Sequence, residues 1–433
     1  MKLLTLVQPI LGIGTRACSR VLGVSLAAVL ILTACGGGGN DASPSNSTSA
    51  TLVSEGVISG FGSVIVNGVR FDDSKAKVED EDEEENSERS KDDLRLGMVV
   101  SVSGSSAGTT GTASVISFGS KLKGPVQSID SVTVTSATTT TTSGTNTTST
   151  TASGSHTLVI LGQTVLIGAW TVFDPISLPN GFASIAAGNV LEVHGHLSPS
   201  LNRIVATRIN KENNANAYKI TGNISSLNAA SKSFKIGTEM FSYASIDPDK
   251  LRVTLADGLT VKVRLATVQA TTGAWTATRI KAAKKAMPER IKAEVEGLIT
   301  AFTSATSFSV NGLVVDATNA SFPKGTASLA LGVRVEVKGT VIDGKLVASV
   351  VKIEDRDRGD DAGNEIELHG SISAIDTTAK TFMLRGLTVS YAGSVGFERG
   401  SASNLVNGVA VEVKGQSSGG GTTVQATRIK FED

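Results

Sequence analysis

The sequence predicts an all-β protein built as a tandem array of about five small β-domains. Three observations lead to this fold class. Val, Ile, Leu, Thr, Ser and Gly dominate the composition, and β-branched residues favour strands. Apolar residues alternate with polar ones, as at Val333, Val335 and Val337, which is the period of a strand with one buried and one wet face. Four short segments also recur in the same order five times along the chain.

Each repeat begins with a strand that opens on a glycine. These glycines are Gly56, Gly124, Gly222, Gly297 and Gly370. A second strand follows, as in "SFSVNG" (307–312), then an alternating strand such as "GVRVEVKG" (332–339) and a closing segment such as "QATRIK" (425–430). The period of about 70 residues is longer than that of solenoid repeats, so each repeat is expected to be a small domain.

One stretch, "VRVEVKGTVIDGKLVASVVKIE" (333–354), nearly matches a phosphate-binding P-loop. A P-loop requires Ser or Thr after its lysine and then a helix, whereas Leu346 and β-branched residues follow Lys345. Asp343-Gly344 is instead a turn typical of hairpins. The stretch is therefore predicted to be two strands joined by a turn. Five strands in each repeat favour a five-stranded antiparallel β-barrel of the OB type, with an open sandwich as the alternative.

The repeats also predict domain boundaries. A signal peptide is expected at 1–34 and a flexible Gly/Ser/Asn tether at 35–52. The five β-repeats are placed at 53–119, 120–212, 217–283, 291–355 and 366–433, with a charged linker at 356–365. Repeat 1 carries an acidic insert at 78–93, which is expected to stay solvated. Repeat 2 carries a Ser/Thr-rich insert at 131–155, which is expected to be a disordered spacer.

The N-terminus predicts a lipid anchor. The apolar run from Val21 to Leu32 is too short to span a membrane and is typical of a signal peptide. The following "LTACG" (32–36) resembles the lipobox of bacterial lipoproteins, in which the cysteine, here Cys35, receives the lipid. Several acyl chains together give stable anchoring. Gly36 in place of Asp after the cysteine implies the outer membrane, so we expect a lipid-anchored protein of the bacterial cell envelope, on the periplasmic face or the surface.

Composition excludes several classes of function. With Cys18 removed in the signal peptide and Cys35 lipidated, the mature chain has no thiol for catalysis, for a disulfide or for a zinc site. The 40 basic and 40 acidic residues balance, so the chain lacks the positive charge that nucleic-acid binding requires. We therefore expect no nucleic-acid partner.

The repeated segments resemble a known family. The glycine-led first strand, the "F-x-V-N-G" second strand and the "L-G-V-R-V-E-V-K-G … A-x-x-I" ending are similar to the bacterial domain of unknown function 5666, found in secreted proteins and lipoproteins. The similarity covers residues 55–431 and is clearest in repeats four and five, whereas repeat three has Leu265 where the others have glycine. The resemblance implies a compact β-domain in the envelope and brings no activity and no catalytic residues.

Polar residues form two candidate sites, and none is expected to be catalytic. Glu192, His194 and His196 alternate along one strand and share a face, and their side chains suit zinc, nickel or copper. The alternative is that these three form the solvated outer face of the strand. An arginine recurs in the closing segments and is expected to face water on a binding surface, at Arg208, Arg279 and Arg428.

Two functions remain open from the sequence. The first is a non-catalytic envelope lipoprotein whose β-modules bind or space envelope components, with an envelope protein or polysaccharide as partner. The second is a periplasmic or surface metal-binding protein that uses His194 and His196. No histidine recurs between repeats, so we expect neither an enzyme nor a cofactor.

Overall fold

β-Strands and short 3-10 turns make up the regular structure of this chain. The structure, a computed structural model, describes residues 50–82, 87–142, 145–168, 170–198, 202–251, 253–283, 287–354, 365–418 and 423–432. These ranges contain no α-helix, and none of their helical turns is long and apolar enough to cross a membrane. The predicted signal peptide, Cys35 and residues 356–364 of the predicted linker lie outside the described residues.

The strands fall into five consecutive groups, which we call barrels 1 to 5. Barrel 1 contains β1 (Ala50–Phe61), β2 (Val64–Val66), β3 (Val69–Asp72), β4 (Lys77–Asp80), β5 (Glu88–Arg89), β6 (Val99–Ala107) and β7 (Thr110–Phe118). Barrel 2 contains β8 (Leu122–Thr142), β9 (Thr145–Ile160), β10 (Gln163–Ile167), β11 (Val172–Phe173), β12 (Val190–Ser198) and β13 (Arg203–Lys211).

The remaining three groups follow the same order. Barrel 3 contains β14 (Tyr218–Asn223), β15 (Ser225–Asn228), β16 (Ser233–Ile236), β17 (Glu239–Ser242), β18 (Thr260–Gln269) and β19 (Trp275–Ala282). Barrel 4 contains β20 (Lys292–Ser304), β21 (Ser307–Val310), β22 (Leu313–Asp316), β23 (Arg334–Ile342) and β24 (Lys345–Ile353). Barrel 5 contains β25 (Glu365–Ser371), β26 (Ser373–Asp376), β27 (Thr381–Leu384), β28 (Leu387–Ser390), β29 (Gly396–Glu398), β30 (Ala410–Ser418) and β31 (Thr423–Phe431).

Each group closes into a ring of paired strands. In barrel 4, β20 pairs with β21, β21 with β22, β22 with β24, β24 with β23, and β23 returns to β20. The other four groups repeat this order, which confirms small all-β barrels rather than open sandwiches. One pairing in each ring, β22 with β24 in barrel 4, is parallel. The ring encloses the alternating valines, so Val335 and Val337 are fully buried.

The hairpin predicted in place of a P-loop is present. β23 and β24 pair from Val335–Ile353 to Ile342–Lys345, with Asp343 and Gly344 in the left-handed region at φ 50° and 70°. Glycine adopts this conformation without steric cost, and Asp tolerates it better than most residues.

A bulge in this hairpin explains a glycine that recurs between the repeats. The register of β23 against β24 shifts between Lys338 and Gly339, which leaves Ser349 as the extra residue. Its hydroxyl donates to the Lys338 carbonyl at 3.1 Å, and a Cβ on Gly339 would lie 2.2 Å from the Val347 carbonyl oxygen. The same shift occurs in the other four barrels, including barrel 3, where Leu265 replaces the glycine. The bulge therefore belongs to the fold and the glycine relieves its crowding.

Both inserts differ from the sequence predictions. Part of the acidic insert is ordered: β4 pairs with β5 and β7, and Val78 is buried in barrel 1. The prediction of a disordered spacer at 131–155 is wrong, because β8 and β9 pair from Val132–Ser155 out to Thr142–Thr145. Threonine favours extended backbone, which accounts for a strand pair where composition alone predicted disorder.

The barrels pack against one another through their first strands. β1 runs parallel to both β20 and β25, and β8 pairs with β14. The apolar residues of barrels 2 and 3 form one continuous core. Residues Ser47–Asp433 therefore form one compact unit, in which barrel 1 contacts barrels 4 and 5 through backbone pairing. The domain boundaries given above stay predictions.

Candidate functional site

A cavity of about 340 Å³ lies where barrels 1, 2, 3 and 4 meet. This volume is within the range of small-molecule sites. The ionisable side chains that line it are Glu55, Glu81, Lys121 and His196. Because the walls come from different barrels, the cavity depends on how the barrels pack.

Lys121 lies in the short segment between β7 and β8. Its backbone is fixed on both sides, because its N–H donates to the Val193 carbonyl and its carbonyl accepts from the Thr221 N–H, each at 2.9 Å. Its partly buried side chain forms no hydrogen bond or ion pair with any described residue. Burial lowers the pKa of the ammonium group, and Lys262 lowers it further, while Glu81 and Glu55 act in the opposite direction.

Glu55 reaches the cavity from β1. One carboxylate oxygen accepts a hydrogen bond from Asn311 Nδ2 at 3.1 Å, across the contact between barrels 1 and 4. Asn311 is held by a second bond, from Nδ2 to the Glu296 carbonyl at 3.1 Å. Within the described part of the chain, Glu55 has no cationic partner. The cavity is therefore lined by a carboxylate, that of Glu55, and an ammonium group, that of Lys121, and neither forms an ion pair with a described residue.

The rest of the lining is of two kinds. Glu81 is already neutralised, because its Oε2 lies 2.5 Å from Lys262 Nζ. The uncharged lining combines hydroxyl groups with apolar side chains. The hydroxyl groups are those of Ser101, Ser103, Ser117, Thr221 and Thr260, and the apolar side chains include Val53, Val99, Leu197 and Met287.

An ionic cluster next to the cavity joins barrel 1 to barrel 3. Asp82 pairs with Lys219 and accepts from the Ser120 N–H at 3.0 Å, and its second oxygen lies 3.9 Å from Lys262 Nζ. Burial raises the pKa of Asp82, but Lys219 and Lys262 outweigh it, so the pKa of this carboxyl is lowered overall. Arg279 donates to the Asp82 carbonyl. Glu81 and Asp82, in the first part of the acidic insert, thus dock onto the basic strands of barrel 3.

The three predicted metal ligands do not converge. Glu192 accepts from Ser120 Oγ at 2.8 Å and lies 3.4 Å from Lys123 Nζ, so its carboxylate is already engaged. His194 and His196 are 2% and 1% exposed, which contradicts the expectation of a solvated face. Burial lowers the pKa of His194 to about 4. The physical reason is that β12 packs against β6 and β20 of neighbouring barrels, which cover its outer face.

In the described ranges, the ligand atoms that do converge belong to Glu367, His369 and Glu412, all in barrel 5. His369 lies between two carboxylates, 2.9 Å from Glu367 Oε1 and 2.7 Å from Glu432 Oε1. The hydrogen bond to Glu367 is the main cause of the raised pKa of His369. A raised pKa opposes metal binding, because a ligand imidazole must be neutral.

Basic side chains already pair with the carboxylates of the cluster formed by Glu367, His369 and Glu412. Glu367 pairs with Lys414 at 3.2 Å and with Arg70 of barrel 1, and Glu412 pairs with Lys430 at 2.8 Å. The cluster is therefore an ionic contact between barrels 1 and 5, and its geometry does not favour a metal centre.

The three recurring arginines do not form one water-facing surface. Arg208 is 3% exposed, pairs with Asp174 at 2.6 Å and donates to the Leu96 carbonyl at 3.2 Å, so the prediction that it faces water is wrong. Barrel 1 covers it. Arg279 donates a hydrogen bond to the Asp82 carbonyl. Arg428 pairs with Glu398 and Glu412 at 3.2 and 3.0 Å.

The fold and these contacts define a class of protein: small closed β-barrels in tandem, docked on one another by ionic and backbone contacts. Three regions, 148–210, 296–352 and 369–430, match the family described as domain of unknown function (DUF5666). In these regions the chain consists of repeats of that family. A comparison with curated proteins gave no match.

Sequence reasoning missed Lys121, Glu55 and the docking of Asp82. For Asp82 a signal was present, because the acidic run 78–93 is complemented by basic residues on the strands of barrel 3, among them Lys219 and Lys262. For Lys121 and Glu55 no sequence pattern indicated that residues so far apart would line one cavity.

Proposed function

We propose that this protein is a non-catalytic, lipid-anchored lipoprotein of the bacterial cell envelope that binds another envelope component. The anchor is Cys35, and Gly36 after it supports the outer membrane. The partner is an envelope protein or polysaccharide rather than a nucleic acid, because the chain carries no net charge.

The observation that carries the binding role is the docking of the barrels. A pure spacer would gain length from separate modules, whereas here β1 pairs with strands of two other barrels and Asp82 joins a third. Docking sacrifices length and creates recesses between modules, such as the cavity at Lys121. Recesses between domains are common sites of ligand binding.

The absence of catalysis is supported by how the polar residues are used. The recurring charged side chains pair within a barrel or hold barrels together: Arg208 pairs with Asp174 and donates to the Leu96 carbonyl of barrel 1, and Lys430 pairs with Glu412. Side chains committed to such pairs are poor candidates for acid–base work, which requires a proton to be exchanged with a substrate.

The anchor is tested by comparing Cys35→Ser with the wild type in a bacterial host. We expect the wild type in the outer-membrane fraction with an acylated N-terminal Cys35 by mass spectrometry, and the variant without acyl chains. Cys18→Ser is the matched control and should remain acylated. An unmodified N-terminus at any other residue of the wild type would contradict the anchor.

The binding role is tested separately by cross-linking in intact cells, followed by purification and identification of the attached envelope components. We expect one protein or polysaccharide to be enriched with the wild type. Recovery of lipid alone would contradict a binding role.

The alternative of a metal-binding envelope protein is the weaker proposal, because Glu192, His194 and His196 do not present a common set of ligand atoms. Elemental analysis of the purified protein decides it. Stoichiometric zinc, nickel or copper that is lost in His194→Gln would favour this alternative.

A further inference from the structure

The cavity between barrels 1, 2, 3 and 4 carries a pair of opposite charges that the protein itself leaves uncombined. We propose that this cavity binds a small zwitterion, an α-amino acid with an apolar side chain, whose carboxylate pairs with Lys121 and whose ammonium group pairs with Glu55. This site goes beyond the proposed envelope role, since it assigns a ligand class that neither the lipid anchor nor the barrel repeats imply.

Among the charged residues around the cavity, Lys121 and Glu55 are the two without an ion pair to a described residue. Lys262 is neutralised by Glu81 at 2.5 Å, and Lys219 is neutralised by Asp82. Lys121 has no hydrogen bond or ion pair with any residue that the structure describes, and Glu55 receives a hydrogen bond only from the uncharged Asn311 amide. A cation and an anion that line the same cavity without pairing match the two ends of a zwitterion.

The energetics favour a ligand with both charges. Moving a charged group out of water is unfavourable unless an opposite charge compensates it. Lys121 is partly buried, and burial lowers the pKa of its ammonium group, so the protein replaces part of its hydration. A ligand carboxylate at this position restores the lost solvation, and a ligand ammonium group does the same for Glu55.

The uncharged walls favour an apolar side chain on that ligand. Val53, Val99, Leu197 and Met287 provide apolar contact, while Thr221 and Thr260 place hydroxyl groups in the same lining. The volume of about 340 Å³ admits a molecule of amino-acid size. A purely anionic ligand would leave Glu55 facing it, and a purely cationic ligand would leave Lys121 facing it.

Three probes with the same side chain separate the two charges. Norleucine carries both, N-acetylnorleucine carries the carboxylate only, and norleucinamide carries the ammonium group only. Binding is measured by isothermal titration calorimetry on the full mature protein in detergent. We expect norleucine to bind at least about tenfold more tightly than either single-charge probe, since each ion pair is worth at least a factor of that order.

Two variants assign the contacts. Lys121→Met should weaken norleucine and N-acetylnorleucine by about tenfold or more and leave norleucinamide unchanged. Glu55→Gln should weaken norleucine and norleucinamide and leave N-acetylnorleucine unchanged. Lys121→Arg keeps the charge and should retain binding of N-acetylnorleucine. The controls Lys345→Met and Glu88→Gln alter exposed residues outside the cavity and should change nothing.

Several results would overturn the proposal. They are no norleucine binding by the wild type, equal affinity for all three probes, or an unchanged norleucine affinity in both Lys121→Met and Glu55→Gln. Circular dichroism of each variant establishes that it is folded. Because the titrations do not depend on acylation or on an envelope partner, they can fail while the envelope role holds, and the reverse is also true.

Discussion

Replacing Asp82 by Asn should weaken the contact between barrels 1 and 3 and destabilise the protein. The substitution keeps the shape of the side chain and removes its charge. Lys219 and Lys262 are 8% and 9% exposed, so both stay largely buried after the change. Lys219 then has no described carboxylate partner, whereas Lys262 keeps Glu81.

The size of the effect follows from this asymmetry. Breaking a buried ion pair by removing one partner typically costs about 3–5 kcal/mol, because a charge is left buried without compensation. Only Lys219 loses its described carboxylate partner, so we expect the free energy of unfolding to fall by about 3 kcal/mol. The urea dependence of unfolding grows with protein size, so for this large unit we use about 3 kcal/mol per molar, and the midpoint of unfolding falls by about 1 M.

The assay is urea unfolding followed by tryptophan fluorescence, since Trp275 lies in β19 of barrel 3. Asp92→Asn is the matched control, because Asp92 belongs to the same insert and is exposed, and it should change stability by less than about 0.5 kcal/mol. Hydrogen exchange should rise in β4 and β14 of the Asp82 variant. If Asp82→Asn unfolds at the same urea concentration as the wild type, the docking of the insert does not stabilise the protein.

Three further predictions concern other parts of the molecule. Lys121→Met should raise the melting temperature at pH 7, because the folded-state pKa of the lysine is lowered. The gain in melting temperature should shrink as the pH rises towards the unfolded-state pKa of 10.5. A gain that does not depend on pH would contradict the burial of this charge. The pKa of His369 is raised, so its contribution to stability is fully present below the unfolded value of 6.5 and is lost as the pH rises through the folded-state pKa. Melting temperatures from pH 5.5 to 8.5 should therefore slope downwards in the wild type and less so in His369→Gln, and equal slopes would refute it. Gly339→Ala should cost about 2 kcal/mol, because the new Cβ would lie 2.2 Å from the Val347 carbonyl oxygen, whereas Gly396→Ala, with 3.7 Å of clearance, should be nearly neutral in the same urea assay.

Features within a barrel were predictable because they are local. The alternation at Val335 and Val337 identified a strand and its buried face, and Asp343-Gly344 identified the turn that joins it to the next strand. The parallel pairing of β22 with β24 was not predictable in this way, because it joins strands that are distant in the sequence. Strand periodicity states which residues share a face and not which strand lies alongside.

Contacts between barrels could not be predicted from the sequence for a different reason. Periodicity placed His194 and Arg208 on the outer face of their strands, and that placement assumed the outer face to be wet. Neighbouring barrels cover it, which leaves His194 2% and Arg208 3% exposed. The alternation of a strand is the same whether its outer face meets water or a second barrel. Charge complementarity between the acidic insert and barrel 3 was the one sequence feature that pointed to docking.

The central claim, that the repeats dock into one unit through barrel 1, is tested most directly by zero-length carbodiimide cross-linking. This reagent couples a carboxylate to an amine only when the two are in contact. In dilute full-length protein, mass spectrometry should find Asp82 coupled to Lys219 and Glu81 coupled to Lys262, within one molecule. The pair Lys352–Glu354, 2.8 Å apart inside barrel 4, is the internal control. Coupling of the control pair without either pair between barrels 1 and 3 would contradict the docked arrangement.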